Sequence, residues 1–185
     1  VAASTGVAAV HIGGSTLHSL AGSGVPKTAK EFRMVYKNKL SVKTWQKMDA
    51  LVLDEIGMVK ADYLEWLDQT VRSVRERPAE AFGGIQLIFV GDFAQLAPVA
   101  AGNSELGREP RAKPTDAGAD VQLDVTGFEV FAFQTLAWRE ARFKHVELTV
   151  NHRQNEEGNE EFRLALLDLR LGLMSDRVHG LLRRC

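Results

Sequence analysis

Cysteine is almost missing from these 185 residues: the single one is Cys185. No internal disulfide can form, and a reducing, intracellular setting is the simpler expectation. Long apolar runs are missing as well. None approaches the roughly 20 residues of a membrane helix, and the first residues lack the build of a signal peptide, so no membrane partner is expected. An excess of either charge is also absent, since 23 basic residues face 24 acidic ones for a net charge of −1. Any surface for nucleic acid must then be local. No glycine-rich loop closed by lysine, the usual phosphate cradle, occurs, and no internal repeat or low-complexity tract is seen. With 45% hydrophobic and 25% charged residues, the composition fits one domain with a full core. The chain opens on Val1 and closes on Leu181-Leu182-Arg183-Arg184-Cys185 in a helical pattern, so both ends read as cuts in a longer protein.

What is present centres on Asp49-Ala50-Leu51-Val52-Leu53-Asp54-Glu55-Ile56-Gly57-Met58. The short apolar run Ala50–Leu53 closed by two carboxylates predicts a buried strand of a parallel α/β sheet. Ligands of such sheets gather at the carboxyl ends of the strands. Mg²⁺ is commonly held there by one or two carboxylates plus substrate phosphates, which leaves the neighbouring acid to activate water. The same pair would serve equally as a cap for the next helix, where acids favour the first turn.

Further strands and helices extend the pattern. Ile85–Val90 predicts a second buried strand, ending in Gly91-Asp92-Phe93-Ala94-Gln95. A glutamine past a strand end can hold water or sense a γ-phosphate; in isolation it would be an ordinary turn residue. His145–Val150 predicts a third strand, followed by Asn151-His152-Arg153-Gln154. Arg153 there is either an arginine finger for a transferring phosphoryl group or an ion-paired loop residue. Tyr63, Leu67, Val71 and Val74 mark a crossover helix that Pro78 follows, and Glu160–Leu173 marks another helix. Residues 100–127 carry no periodicity and read as a long loop or insertion.

Two stretches bear on nucleic acid. Val1–Gly22 offers small helical pieces around Gly13-Gly14, rich in Ser and Thr, whose backbone N–H groups suit phosphates; close packing explains that composition as well. Between Pro26 and Lys47, seven basic residues face one acid, with Phe32, Tyr36 and Trp45 interleaved. Such mixtures track a single strand by charge and stacking, although rings in an amphipathic segment also simply face the core.

Taken in order, the strand ends DE, GDxxQ and RQ resemble motifs II, III and IV of superfamily one B DNA helicases of the Pif type, relatives of RecD. Ala3-Ser4-Thr5-Gly6-Val7-Ala8-Ala9 with Gly13-Gly14-Ser15-Thr16-Leu17-His18-Ser19 resembles that family's motif Ia. Leu53–Met58 resembles its DEISM box and Gly84–Pro98 its GDFFQLPP box. The resemblance implies a RecA-like P-loop NTPase fold that hydrolyses ATP with Mg²⁺, moves five-prime to three-prime on single-stranded DNA and opens forks. It implies Asp54 as Mg²⁺ ligand with Glu55 beside it, Glu55 as catalytic base, Gln95 on the γ-phosphate, Asp92 near the nucleotide and Arg153 as the finger. Ser4, Thr5, Gly14, Thr16 and His18 would line the DNA path. A monomer working in the nucleus, mitochondrion or cytoplasm, in DNA repair, recombination or telomere maintenance, is what such a family implies. Rival readings are a single-stranded-DNA-binding fragment without turnover and a relic of a mobile-element helicase. Gly57 stands where the family usually has serine, Ala94 where it often has an aromatic ring, and Ala97 where proline is usual. These departures touch the rigidity around the pocket rather than its chemistry.

Overall fold

The computed structural model describes residues 1–26, 31, 33–98, 131–150, 152 and 160–183. Two compact units make it up, Val1–Phe143 and Lys144–Cys185.

In the first unit, β1 (Ala2–Ala3), β2 (Ser15–Thr16), β3 (Ala50–Asp54) and β4 (Gln86–Phe89) form a parallel sheet in the order β2-β1-β3-β4. The register sets Ala3 level with both Thr16 and Asp54, and Leu53 level with Phe89. β1 is buried on both sides, which is why its positions are alanines (both fully buried). β3 follows its apolar sequence: Leu51 and Leu53 are buried, and polarity begins at Asp54.

The joining helices obey their sequence signals. Thr5 caps α1 (Gly6–His11), and Thr16 caps α2 (Leu17–Ala21) through the Ser19 N–H. Asn38 caps α3 (Lys39–Lys47) with bonds from two backbone N–H groups. The crossover helix α4 (Ala61–Val74) buries Tyr63, Leu64, Leu67, Val71 and Val74 at helical spacing. They join Leu17, Ala21, Trp45, Leu51, Leu53 and Phe82 in one core. Of the interleaved aromatics, Trp45 belongs to this core, while Tyr36 is exposed and Phe32 lies outside the described residues.

Polar clamps fix the far end of α4. Arg75 donates to the carbonyls of Trp45 (2.7 Å), Met48 (2.8 Å) and Gly83 (2.7 Å), tying α3, α4 and the approach to β4 together. Buried Asp68 accepts from the Phe82 N–H (2.6 Å) and pairs with Arg72 (2.8 Å), which also holds Glu140. Phe82 itself has a left-handed backbone (φ 48°) and is wholly buried.

Two strand expectations need correction. β4 is not a buried strand: Ile88 is 45% exposed, because β4 is the edge of the sheet and, among the described residues, nothing pairs with its outer side. Residues 145–150 form no strand among the described residues, and Val146 and Leu148 are exposed. The alternating sequence is right for a strand, but among the described residues no neighbour supplies the ladder bonds that would make one. Residues 100–127 lie outside the described residues.

The aromatic segment resumes with α5 (Leu136–Ala141), capped by Thr135. Phe89, Phe93, Phe131, Phe133, Trp138 and Phe143 form a continuous ring cluster, mostly tilted or edge to face. In the second unit, α6 (Glu160–Arg170) and α7 (Asp176–Leu182) pack on each other. Asp168 accepts from Ser175, the residue that caps α7, and lies 3.6 Å from Arg177.

Candidate active site at the carboxyl ends of the strands

The sheet winds outward in two directions, β1 to β2 one way and β3 to β4 the other. The reversal falls between β1 and β3, where open α/β sheets keep their ligand crevice. Ser4 and Asp54 flank this point, joined by the Ser4 N–H bond to the Asp54 carbonyl (3.2 Å). The Ser4 hydroxyl is buried and, among the described residues, has no hydrogen-bond partner.

Beyond β3 the chain turns sharply. Glu55 takes a left-handed conformation, φ 56° and ψ 43°, and starts the 3₁₀ turn Ile56–Met58. That conformation costs an ordinary residue roughly 1–2 kcal/mol, so the surroundings must impose it. They do: the Ile56 N–H reaches the Val90 carbonyl at 3.0 Å, and the Val90 N–H reaches the Leu53 carbonyl at 2.8 Å. Two glycines allow the tips to interlock. A β-carbon at Gly57 would sit 2.9 Å from the Asp92 carbonyl oxygen, and one at Gly91 would sit 2.9 Å from the Ile56 nitrogen. The turn after β3 and the turn after β4 therefore lie backbone against backbone.

Within the second turn, Asp92 uses both carboxylate oxygens. One accepts from the Ala94 N–H and the other from the Gln95 side-chain amide, each at 2.9 Å. Asp92 thus orders the loop and holds Gln95, which is exposed. Phe93, between them, is anchored edge-on against Phe133 and Trp138.

For a hard cation the donors are limited. One Asp54 carboxylate oxygen accepts the Glu55 N–H at 2.9 Å, and among the described residues no other partner engages either the Asp54 or the Glu55 carboxylate. No group of three or more His, Cys, Asp or Glu side chains suited to a metal occurs among the described residues. This donor set fits Mg²⁺, which takes few carboxylates and completes its shell with phosphate and water oxygens. Asp54 and Glu55 would hold it there, where it would neutralise phosphate charge.

Residues 1–110 match the family model described as PIF1-like helicase. The chain belongs to that family. This PIF1-like chain is 34% identical over 189 residues to the ATP-dependent DNA helicase PIF6 of Trypanosoma brucei brucei, covering 100% of the chain and 23% of that relative. It is 38% identical to the mouse ATP-dependent DNA helicase PIF1, over 98% of the chain and 24% of that protein. The chain thus spans about a quarter of these relatives' length. Among solved structures, Pif1 helicase from Candida albicans superposes with a TM-score of 0.74 at 32% identity, covering 95% of this chain and 34% of that one. Pif1 from Bacteroides, in complex with ADP-AlF3 and single-stranded DNA, superposes with a TM-score of 0.69 at 30% identity, over 96% and 38%. The RecA-like α/β fold expected from the sequence is the fold found.

Within this PIF1-like frame, Asp54, Glu55, Asp92 and Gln95 come together on two interlocked turns. Arg153 lies outside the described residues. Ser4, Thr5, Thr16 and His18 cluster at the carboxyl ends of β1 and β2, with Thr5 and Thr16 occupied as helix caps. Gly14 lies at the opposite end of β2, where a β-carbon would meet the Val1 carbonyl oxygen at 2.6 Å. Tyr63 behind His18 was not legible from sequence, because their contact spans different elements. Phe93 was legible only as part of the GDxxQ string.

Proposed function

We propose that the full protein is an ATP-dependent DNA helicase in which this chain supplies most of the first RecA-like motor domain. In this reading Asp54 binds Mg²⁺, and Glu55 takes the proton of the attacking water. Gln95, steadied by Asp92, contacts the γ-phosphate, and Arg153 serves as the arginine finger. Ser4, Thr5, Gly14, Thr16 and His18 guide single-stranded DNA, and hydrolysis drives five-prime-to-three-prime movement into forks.

The observation that carries this reading is the interlock of the two turns. It holds a carboxylate-bearing residue in a strained conformation beside a glutamine whose amide is already oriented, with partners left open for phosphate and water. Placing reacting groups in fixed geometry is where most phosphoryl-transfer catalysis originates. The Bacteroides relative solved with ADP-AlF3 and single-stranded DNA supports both ligand classes.

The test is Glu55→Gln in the full protein. ATP binding is expected to persist while DNA-stimulated hydrolysis falls by on the order of 10²-fold or more. A variant that still unwinds duplex at the normal rate would refute the role given to Glu55.

A further inference from the structure

We propose that Tyr63 is the positioning residue for His18, gripping the helix Leu17–Ala21 at two points so that the imidazole stays set on the DNA path; this rests on the DNA-path reading above.

Tyr63 is 4% exposed and lies in the first turn of the crossover helix. Its ring lies 4.5 Å from the His18 ring, tilted by 46°. Its hydroxyl lies 3.1 Å from the Ser23 hydroxyl. Ser23 is not a bystander: its N–H donates to the His18 carbonyl at 3.3 Å, closing the C-terminal cap of the same short helix. The Gly22 N–H donates to that carbonyl as well, at 3.1 Å. Ring contact, hydroxyl contact and cap bonds therefore close a loop through Tyr63, Ser23 and His18. The cap itself is fixed, because Gly22 is left-handed and a β-carbon there would run into the Ser41 side chain.

A five-residue helix has little stability of its own. Its placement must come from packing, and Tyr63 supplies two contacts from one side chain. Burial, and secondly the nearby Lys60 ammonium, hold the His18 pKa below its ordinary value. His18 accordingly meets DNA as an uncharged ring suited to stacking or hydrogen bonding, whose effect depends on orientation more than on charge. Tyr63 also follows directly from the turn after Glu55, through Val59 and Lys60. The residue that orients His18 is thereby carried by the element that leaves the nucleotide site.

The experiment uses the full protein, with a single-stranded oligothymidylate as the probe in fluorescence anisotropy and in DNA-stimulated phosphate release. Tyr63→Leu removes the ring contact and the hydroxyl contact, and Tyr63→Phe keeps the ring while removing the Ser23 bond. Tyr63→Leu is expected to weaken binding about tenfold, with kcat at saturating DNA within about twofold; Tyr63→Phe weakens it about threefold or less. With His18→Ala already present, Tyr63→Leu should add less than about twofold, because it acts through the missing ring. Should Tyr63→Leu fail to fold, Tyr63→Phe and Ser23→Ala decide the matter, both weakening binding in the wild-type background and neither in His18→Ala. Full additivity with His18→Ala, or unchanged binding in folded Tyr63 variants, overturns the proposal while leaving the helicase reading intact. Absence of DNA-stimulated hydrolysis in the wild type removes the helicase reading itself. Unchanged binding by His18→Ala alone removes His18 from the DNA path, and this inference with it.

Discussion

A serine at position 57 would place its β-carbon 2.9 Å from the Asp92 carbonyl oxygen, 3.5 Å from the Asp92 carbonyl carbon and 3.8 Å from the Phe93 Cα. All three are backbone atoms, so no rotamer change can clear them. Ordinary contact begins near 3.4 Å, leaving a shortfall of about half an ångström. The turn after β3 cannot easily retreat, because the Ile56 N–H is bonded to the Val90 carbonyl at 3.0 Å. The turn after β4 is anchored by Phe93 against Phe133 and Trp138, with ring centroids 4.8 and 5.9 Å away. Overpacking of this kind costs about 1–3 kcal/mol. Misplacing a catalytic group by about 1 Å can cost about 10²-fold in rate, so a shift of half that predicts roughly a tenfold loss. Gly57→Ser in the full protein should therefore lower unfolding free energy by about 1–3 kcal/mol and kcat for DNA-stimulated hydrolysis by about tenfold. Chemical denaturation and phosphate release measure the two. Serine is the residue that related helicases usually carry there, so exchange toward the family pattern would ordinarily stabilise. A variant with wild-type stability and wild-type kcat would show that the close approach of Gly57 to Asp92 has no energetic weight.

Other perturbations follow from the polar clamps and the buried phenol. Asp68→Ala strands the Phe82 N–H and leaves Arg72 without its i,i+4 partner, so the unfolding free energy should drop by about 2–5 kcal/mol. A loss below about 1 kcal/mol in chemical denaturation would count against the clamp. Burial, partly offset by the Ser23 bond, raises the Tyr63 pKa from 10.0 to about 12. Below 10 both folded and unfolded states keep the proton; above it the unfolded state ionises first, so stability is lost as pH rises through that window. The loss should reach roughly 2–3 kcal/mol and be missing from Tyr63→Phe. Denaturation curves on either side of the window would reveal an equal loss in both proteins if the phenol is not responsible.

Sequence periodicity was a sound guide where one face of an element settles its fate. β3 and α4 followed from apolar spacing alone, and the pairing of a carboxylate strand end with a GDxxQ strand end located the candidate site. It found the strand at β4 but not its exposure, and it misled at 145–150, since burial and ladder pairing depend on neighbours that a single segment cannot name. The composition of Ser4–His18 pointed to phosphate or DNA but was silent on Tyr63, whose bond to Ser23 spans forty positions of chain. Nor could the string Asp-Glu-Ile-Gly reveal that Gly57 is required by Asp92, a contact that exists only once two turns are folded together.

The left-handed backbone at Glu55 has a wider consequence. Elsewhere the first unit meets much of its need for positive φ with glycine, at Gly13, Gly22, Gly24, Gly83 and Gly84, where absence of a side chain makes the conformation cheap. Glu76, Phe82 and Arg142 share the left-handed conformation of Glu55, and at each of these positions glycine would be the less strained residue. On the role proposed for Glu55, keeping glutamate there gives up robustness for reactivity, so Glu55→Gly should fold more stably while losing turnover.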